Sequence, residues 1–433
     1  MSKLIHALCL LGLVLSQSIN AQSLSPTETQ IKTIVTTNQD TELEYLKKLV
    51  NINSGTNNIV GVRRVGNLLH QQFTQLGFKT HWVEEPPRFH RAGTLIAEHK
   101  GKSGKRIILL AHLDTVFSHA SQFQTFKRKK ILAYGPGVID DKGGVVVILY
   151  ALKALQQTHT LDDATITVVL TGDEEDSGKP SSISRKALLD IAKQSDITLE
   201  FEFSLGLRTA TISRRGISGW ILKTTGKQAH SAGVFTSAVG DGAIFEIARI
   251  LNTFRTSLSG EKYLTFNPGV IVGGTHVVFT ADKSKGSAFG KSNVIASSAF
   301  ANGDLRFVSD EQKNNTEKKM SDIVHQSLTK TSATITFQDG IPSMLPTEKN
   351  RQLLNMYSAV SEDLGYGSVK GVDPGARGAG DISYISAIVP QNLAGLGPSG
   401  EGAHSEKELL DIPTLSIATQ RAALLIYRLT HSK

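Results

Sequence analysis

The sequence predicts an α/β fold: a mainly parallel sheet with helices on both faces, carrying a smaller α+β domain inserted in the chain. Three observations predict it. Short aliphatic and β-branched runs, "RIILLAH" (106–112), "ATITVVLTGDEE" (164–175) and "SDITLEFE" (195–202), alternate with helical stretches such as "GGVVVILYALKALQQ". Strands alternating with helices build parallel sheets covered on both sides. The stretch 213–339 breaks that alternation and reads strand, helix, strand, strand, helix, strand, the split βαβ order of a ferredoxin-like domain. Finally, 433 residues with 39% hydrophobic and 20% charged side chains suit one large or two ordinary globular domains.

Taken in order, residues 1–21 place Lys3 before an apolar stretch, Leu4 to Leu15, and then small polar residues ending at Ala21. That is the layout of a secretory signal, too short to span a bilayer as a mature helix. The expectation is an exported protein, periplasmic or secreted, with no membrane attachment after cleavage. The only cysteine, Cys9, falls inside this segment, so the mature chain is expected to lack a disulfide or cysteine-bound metal. Residues 22–212 form the first part of the main domain. The helical pattern from about Thr37 to Leu76 opens with Thr41 as its capping residue and closes at Gly77. Residues 213–339 are the inserted domain, and 340–433 complete the main one, with "ISAIVPQNLAGLGPSGEGAHSE" repeating the plan of apolar run and glycine-rich loop.

A formal net charge of +8 could suit nucleic acid, but the basic residues are scattered. The one dense run, Lys127 to Lys130, reads as a solvated loop with no interleaved aromatics. No strand leads into a phosphate-binding glycine loop. Nucleic-acid and nucleotide binding are therefore not expected.

The polar residues at strand ends carry the chemistry, because ligands of open α/β sheets bind beyond the carboxyl ends of the strands. His112 follows "RIILLA", with Asp114 on the same side of the extended chain. Glu174 and Glu175 follow "TITVVLTGD", Glu202 ends "DITLEFE", and His404 sits in the loop after "AIVPQNLAGLG". Asp140 and Asp141 stand side by side in "GPGVIDDKGGVVV" at the mouth of an apolar helix. Singly, each has an ordinary structural role, a hydrogen-bonded histidine, a helix cap or a surface acid. Together they would repel one another unless cations lay among them. A nitrogen and oxygen donor set without cysteine suits Zn²⁺, with Mn²⁺ or Co²⁺ as alternatives.

"AHLDTV", "DDKGG", "GDEEDSG", "GKQAHSAG" and "GAHSEKE" resemble, in order and through nearly the whole mature chain, the signatures of the glutamate carboxypeptidase and aminoacylase family of dinuclear zinc exopeptidases. The resemblance implies two Zn²⁺ per subunit. His112 and His404 would each bind one ion, Asp140 would bridge both, and Glu175 and Glu202 would each bind one, with Glu200 a rival to Glu202. Asp114 would fix the tautomer of His112, Glu174 would be the general base, and the Asp140–Asp141 peptide would be cis. The inserted domain resembles the family's lid and dimerisation domain. It implies a homodimer in which His230 reaches the partner's site to stabilise the oxyanion. Asn293, Arg306 and, in "GARGAGDISYI", Arg377 match positions that bind substrate, an arginine fork suiting a carboxylate. The activity implied is cleavage of an amide next to a free carboxylate in a small peptide or an N-acyl amino acid. The alternatives are an N-acyl-amino-acid deacylase and a non-catalytic metal- or peptide-binding relative.

Overall fold

The computed structural model describes residues 23–280 and 285–431; the signal-like segment and Cys9 lie outside them. The main sheet begins with β1 (Lys79–Val83), β2 (Thr94–His99), β3 (Ser103–His112), β4 (Ala164–Thr171) and β5 (Ile197–Glu200). The chain then leaves it for β6 (Gly216–Gly226), β7 (Thr265–Gly274), β8 (Ser298–Phe307) and β9 (Thr331–Asp339), and returns for β10 (Gln391–Leu393).

The main sheet has the order β1-β2-β4-β3-β5-β10. The strands β4, β3, β5 and the edge strand β10 run parallel, and β2 and β1 are added antiparallel at the other edge. Side-chain alternation along β3 divides the core in two. Ile107, Leu109 and Ala111 join the helices Lys142–Gln157 and Ile412–His431. Ile108 and Leu110 pack instead with Leu188, Ile382 and Ile385 on the opposite face. Both faces are therefore covered, which is why the central runs are uniformly apolar.

The second sheet, β7-β8-β6-β9, is wholly antiparallel. It has its own core, in which Trp220, Ile250, Phe254, Leu305 and Met320 are buried together. Trp220 meets Phe254 edge-on at 6.2 Å and donates to the Asp304 carbonyl. The order is that of the split βαβ plan, with an additional hairpin, His276–Phe279 against Gly286–Phe289, which the sequence pattern did not suggest.

Two local expectations are corrected, and one helix is added. The first helix of the N-terminal pattern starts earlier than Thr41: the helix Gln39–Val50 has Asn38 at its cap, and the Thr41 hydroxyl donates back to the Asn38 carbonyl. A helix Pro26–Thr37 precedes it, closed by a capping box between Ser25 and Glu28. The run Lys127–Lys129 is an exposed edge strand in a hairpin with Leu132–Tyr134, where lysines also discourage further strand pairing.

The hairpin is part of a small four-stranded ribbon. Leu132–Tyr134 pairs with Leu409–Asp411, which pairs with Gly400–Glu401. This ribbon brings the loop before Asp140 beside the loop that carries His404.

Candidate metal centre

His112 ends β3 and Thr171 ends β4 in register with it, so the acids that follow Thr171 emerge beside His112. Asp140 precedes the helix Lys142–Gln157 and is joined to Asp141 by a cis peptide. That helix runs deep against the sheet: a side chain at Gly144 would strike the Phe201 carbonyl oxygen at 1.9 Å. The "DDKGG" glycines thus let the helix mouth approach the end of β5.

The structure brings four expected residues together. His112 Nε2 lies 3.2 Å from Asp140 Oδ1. His404 Nε2 lies 3.1 Å from Asp140 Oδ2 and 3.1 Å from Glu175 Oε2. Asp140 therefore turns one oxygen to each imidazole, as a carboxylate shared by two cations must. Donor atoms of His112, Asp140 and Glu175 lie within 4.8 Å of one another, and Glu175 Oε1 is buried with no hydrogen-bond partner. His404 holds its position with a left-handed backbone, φ 64°.

The electrostatics fit a cation. Burial opposes charge on His112, yet hydrogen bonds to Asp114 and Asp140 hold its pKa well above the imidazole value. Hydrogen bonds to Asp140 and Glu175 push His404 up to about 11. Burial likewise opposes ionisation of Asp140, but the two imidazoles keep its pKa low. Burial raises Glu175 and lifts Glu174 well above the carboxyl value, with Glu202 and Asp381 adding to the rise at Glu174. The two imidazoles and Asp140 thus hold one another in their charged forms. Divalent cations would balance the same acids with neutral imidazoles, which are the form that ligates metal.

Asp114 is fully buried. It lies 3.3 Å from His112 Nδ1 and accepts the Glu174 N–H at 3.0 Å, the Glu175 N–H at 3.1 Å and the Thr56 hydroxyl at 2.6 Å. One carboxylate thus orients the imidazole and the loop bearing both glutamates. Asp141 accepts the His112 N–H at 3.2 Å through Oδ2 and makes no side-chain cap to its own helix.

Glu202 and Glu200 are separated by their partners. Glu200 commits both oxygens, Oε2 to Arg214 at 2.7 Å and Oε1 to the Ile382 N–H at 3.0 Å. Glu202 gives Oε2 to Arg214 and to Arg377, the latter at 2.8 Å, and leaves Oε1 uncommitted. Glu202 is thus the better donor of the two, though it lies outside the His112, Asp140 and Glu175 group. Arg377 is buried, pairs with Glu202 and lies over the Phe203 ring at 4.5 Å. It is not a free fork, because one arm is taken.

The remaining expected residues lie on the inserted domain. Arg306 on β8 is held by Asp304 at 3.0 Å and approaches Gly378, since a Cβ built there would sit 3.8 Å from its Nη1. Tyr263 donates to Asp373 at 2.8 Å, a second link between the inserted domain and the 373–380 loop. His230 and Asn293 are exposed neighbours: His230 pairs with Val294 across a bridge and caps a short turn by accepting the Ala232 N–H. No hydrogen bond joins either to the metal residues among the described residues.

Two buried supports escaped sequence reasoning. Glu408 accepts the N–H groups of Gly137, Ile139 and Asp140 at 2.9–3.1 Å and so fixes the loop that presents Asp140. Arg185 donates to Asp173 and Asp381, each at 2.6 Å, while Thr171 donates to the other oxygen of Asp381 at 2.6 Å. This pins the segment bearing Glu174 and Glu175 to the start of the helix Asp381–Ile385.

A two-faced sheet with an inserted lid-like domain, and paired imidazoles sharing one carboxylate at the strand ends, define a metal-dependent hydrolase. The model of the peptidase family M20/M25/M40 matches residues 108–428; the chain belongs to that family and is a metal-dependent exopeptidase. It is 29% identical over 407 residues to carboxypeptidase G2 of Pseudomonas sp. (strain RS-16), covering 92% of this chain and 91% of that one. It is also 30% identical over 240 residues to a succinyl-diaminopimelate desuccinylase of Orientia tsutsugamushi (strain Ikeda), covering 52% and 58%. The fold matches the crystal structure of aminopeptidase PepT from Bacillus cereus ATCC 10987 with a TM-score of 0.70 at 15% identity, over 90% of this chain and 99% of that one.

Proposed function

We infer that the protein is a dizinc carboxypeptidase that cleaves the amide bond before a C-terminal residue with a free carboxylate, glutamate being the leading candidate. The observation that carries this reading is Asp140, whose two oxygens face His112 and His404 separately. The near full-length similarity to carboxypeptidase G2 supports the substrate class. His112, Asp140, Glu175, Glu202 and His404 would hold the two ions. When bound, these supply charge that activates water and polarises the scissile carbonyl. Glu174, lifted by burial, takes the proton from the attacking water and returns it to the leaving nitrogen. Asp114 keeps His112 oriented. Arg306, beside the glycine-rich loop, and the uncommitted arm of Arg377, within it, can grip a carboxylate.

The reading includes export, drawn from residues 1–21, and a homodimer. Phe235, Phe245, Ile271 and Phe289 of the inserted domain are each more than half exposed, and such apolar surface favours association. No helix of the described residues is long and apolar enough to cross a membrane. A second reading, N-acyl deacylation, draws on the desuccinylase relative.

Product identification after incubation of the zinc-loaded protein with peptides and N-acyl amino acids tests the proposal. Release of free C-terminal glutamate is expected, and its absence would remove the carboxypeptidase reading. Chelation should abolish hydrolysis and lower the melting temperature, because the buried acids then lose their counter-charge; zinc should restore both. Arg306→Ala should raise KM about 10- to 100-fold, the worth of one charge-assisted bond, as steady-state kinetics would read.

A further inference from the structure

Lys142 opens the helix that follows Asp140 and Asp141, and it is fully buried. Its stem packs against the loop that presents Asp140: a Cβ on Gly137, whose φ is 77°, would sit 3.1 Å from Lys142 Cδ. Nζ donates to the Ile52 carbonyl at 2.9 Å and to the Pro136 carbonyl at 3.3 Å. Burial pushes the amine down to about 7, with Glu408 opposing the fall. Charged or neutral, it can give both bonds, because the neutral amine keeps two N–H groups. A methionine of similar length would fill the same space without burying a polar group. What the lysine adds is the pair of bonds.

Ile52 begins a short strap, residues 52–56, that crosses from the helix mouth to the other half of the centre. Its first carbonyl is taken by Lys142, beside Asp140. Its middle lies along the segment after His112: Thr115 N–H donates to the Ser54 carbonyl at 2.9 Å, Thr56 N–H donates to the Thr115 carbonyl at 3.2 Å, and Gly55 pairs with Thr115 in a parallel bridge. A Cβ on Gly55 would meet the Phe117 carbonyl oxygen at 2.4 Å, so the strap lies this close only because a glycine is there. At the far end the buried Thr56 donates its hydroxyl to Asp114 at 2.6 Å. Asp114 is the carboxylate that faces His112 and holds the N–H groups of Glu174 and Glu175. Asp141 already ties the helix mouth to the His112 N–H; the strap is a second link between the same two halves.

We infer that Lys142 and Thr56 are positioning residues, the two fasteners of a strap that sets the spacing between Asp140 and the group formed by His112, Glu174 and Glu175. The inference rests on the metal centre of the proposed function and not on its substrate. Lys142 acts through the backbone of residues 52 and 136, and Thr56 acts through Asp114. Opening either end leaves every candidate donor in the chain but frees one half of the centre to shift against the other. A shared carboxylate such as Asp140 is sensitive to that shift, since each of its oxygens must meet a different partner. A base must likewise stay within hydrogen-bond reach of its water, and small misplacements there are costly.

The test compares the full-length protein with Lys142→Met, Thr56→Val, the double variant and Thr56→Ser. Zinc affinity is read by competition with a chelating dye, and kcat and KM are read at saturating zinc. Each single variant is expected to weaken zinc binding by about 10- to 100-fold, the usual effect of losing a partner behind a metal ligand, and to lower kcat with KM nearly unchanged. Thr56→Ser, which keeps the hydroxyl, should restore both. The double variant should lose less than the product of the two single losses, because an opened strap cannot be opened again. Multiplicative losses would overturn the strap, as would a lower melting temperature with zinc affinity and kcat intact, the mark of a merely structural role. Thr56→Val removes one hydroxyl and keeps the shape, so it decides the matter even where Lys142→Met does not fold. Absence of zinc binding by the unaltered protein would instead remove the dizinc reading, and this inference with it.

Discussion

Glu174→Gln is expected to lower kcat by about 10³- to 10⁴-fold, the upper range for removal of a general base, with metal content unchanged. The amide keeps the shape of the side chain and loses only its basicity. The backbone N–H of Glu174 stays bound to Asp114, so the loop keeps its place. The candidate metal donors His112, Asp140 and Glu175 are untouched. Turnover measured beside metal analysis decides the matter: loss of activity with full metal supports the base, whereas retained activity refutes it. Loss of both would point to a structural part for Glu174.

Arg185→Met should be the most damaging change to stability. Arg185 is 1% exposed and bridges Asp173 and Asp381, which are buried as well. Truncating the cation strands two carboxylates in a low-dielectric interior, at a cost of about 3–5 kcal/mol. Thr171 and the Gly178 N–H satisfy only part of what is lost. Denaturant unfolding would read the loss directly. A change below about 1 kcal/mol, the ordinary scale for a surface pair, would show that the bridge is not the anchor its burial implies. Arg185→Lys keeps the charge but not the fork, and should fall between the two.

The parts of this molecule that were legible in the sequence are those set by neighbours along the chain. An aliphatic run followed at once by a polar residue announces both a buried strand and a side chain at its carboxyl end, so His112, Glu174, Glu175 and Glu202 stand out as candidates without coordinates. The inserted domain was legible because its strands and helices alternate in a different order. The helix Pro26–Thr37 is not among the sequence expectations although its signal is present: Ser25 and Glu28 have the spacing of a capping box. Partnerships between distant residues could not be read at all. Arg185 meets Asp381 across 196 positions, and Glu408 holds Gly137 across 271. Nothing local distinguishes those side chains from surface charge, because tertiary packing alone selects their partners. The choice between Glu200 and Glu202 belongs to the same class, since it turns on which oxygens Arg214 and the Ile382 N–H consume.

The ribbon that carries His404 and Glu408 has a consequence for biogenesis. Most of the donors are synthesised within the first half of the chain, yet the loop presenting Asp140 is clasped by an acid that leaves the ribosome about 270 residues later. A nascent or truncated polypeptide would expose a cluster of acids and a single imidazole, with no lock on their arrangement. Hydrolytic competence should therefore arise late and all at once, when the final segment docks, and a chain cut before residue 400 should be inert however well its earlier portion folds.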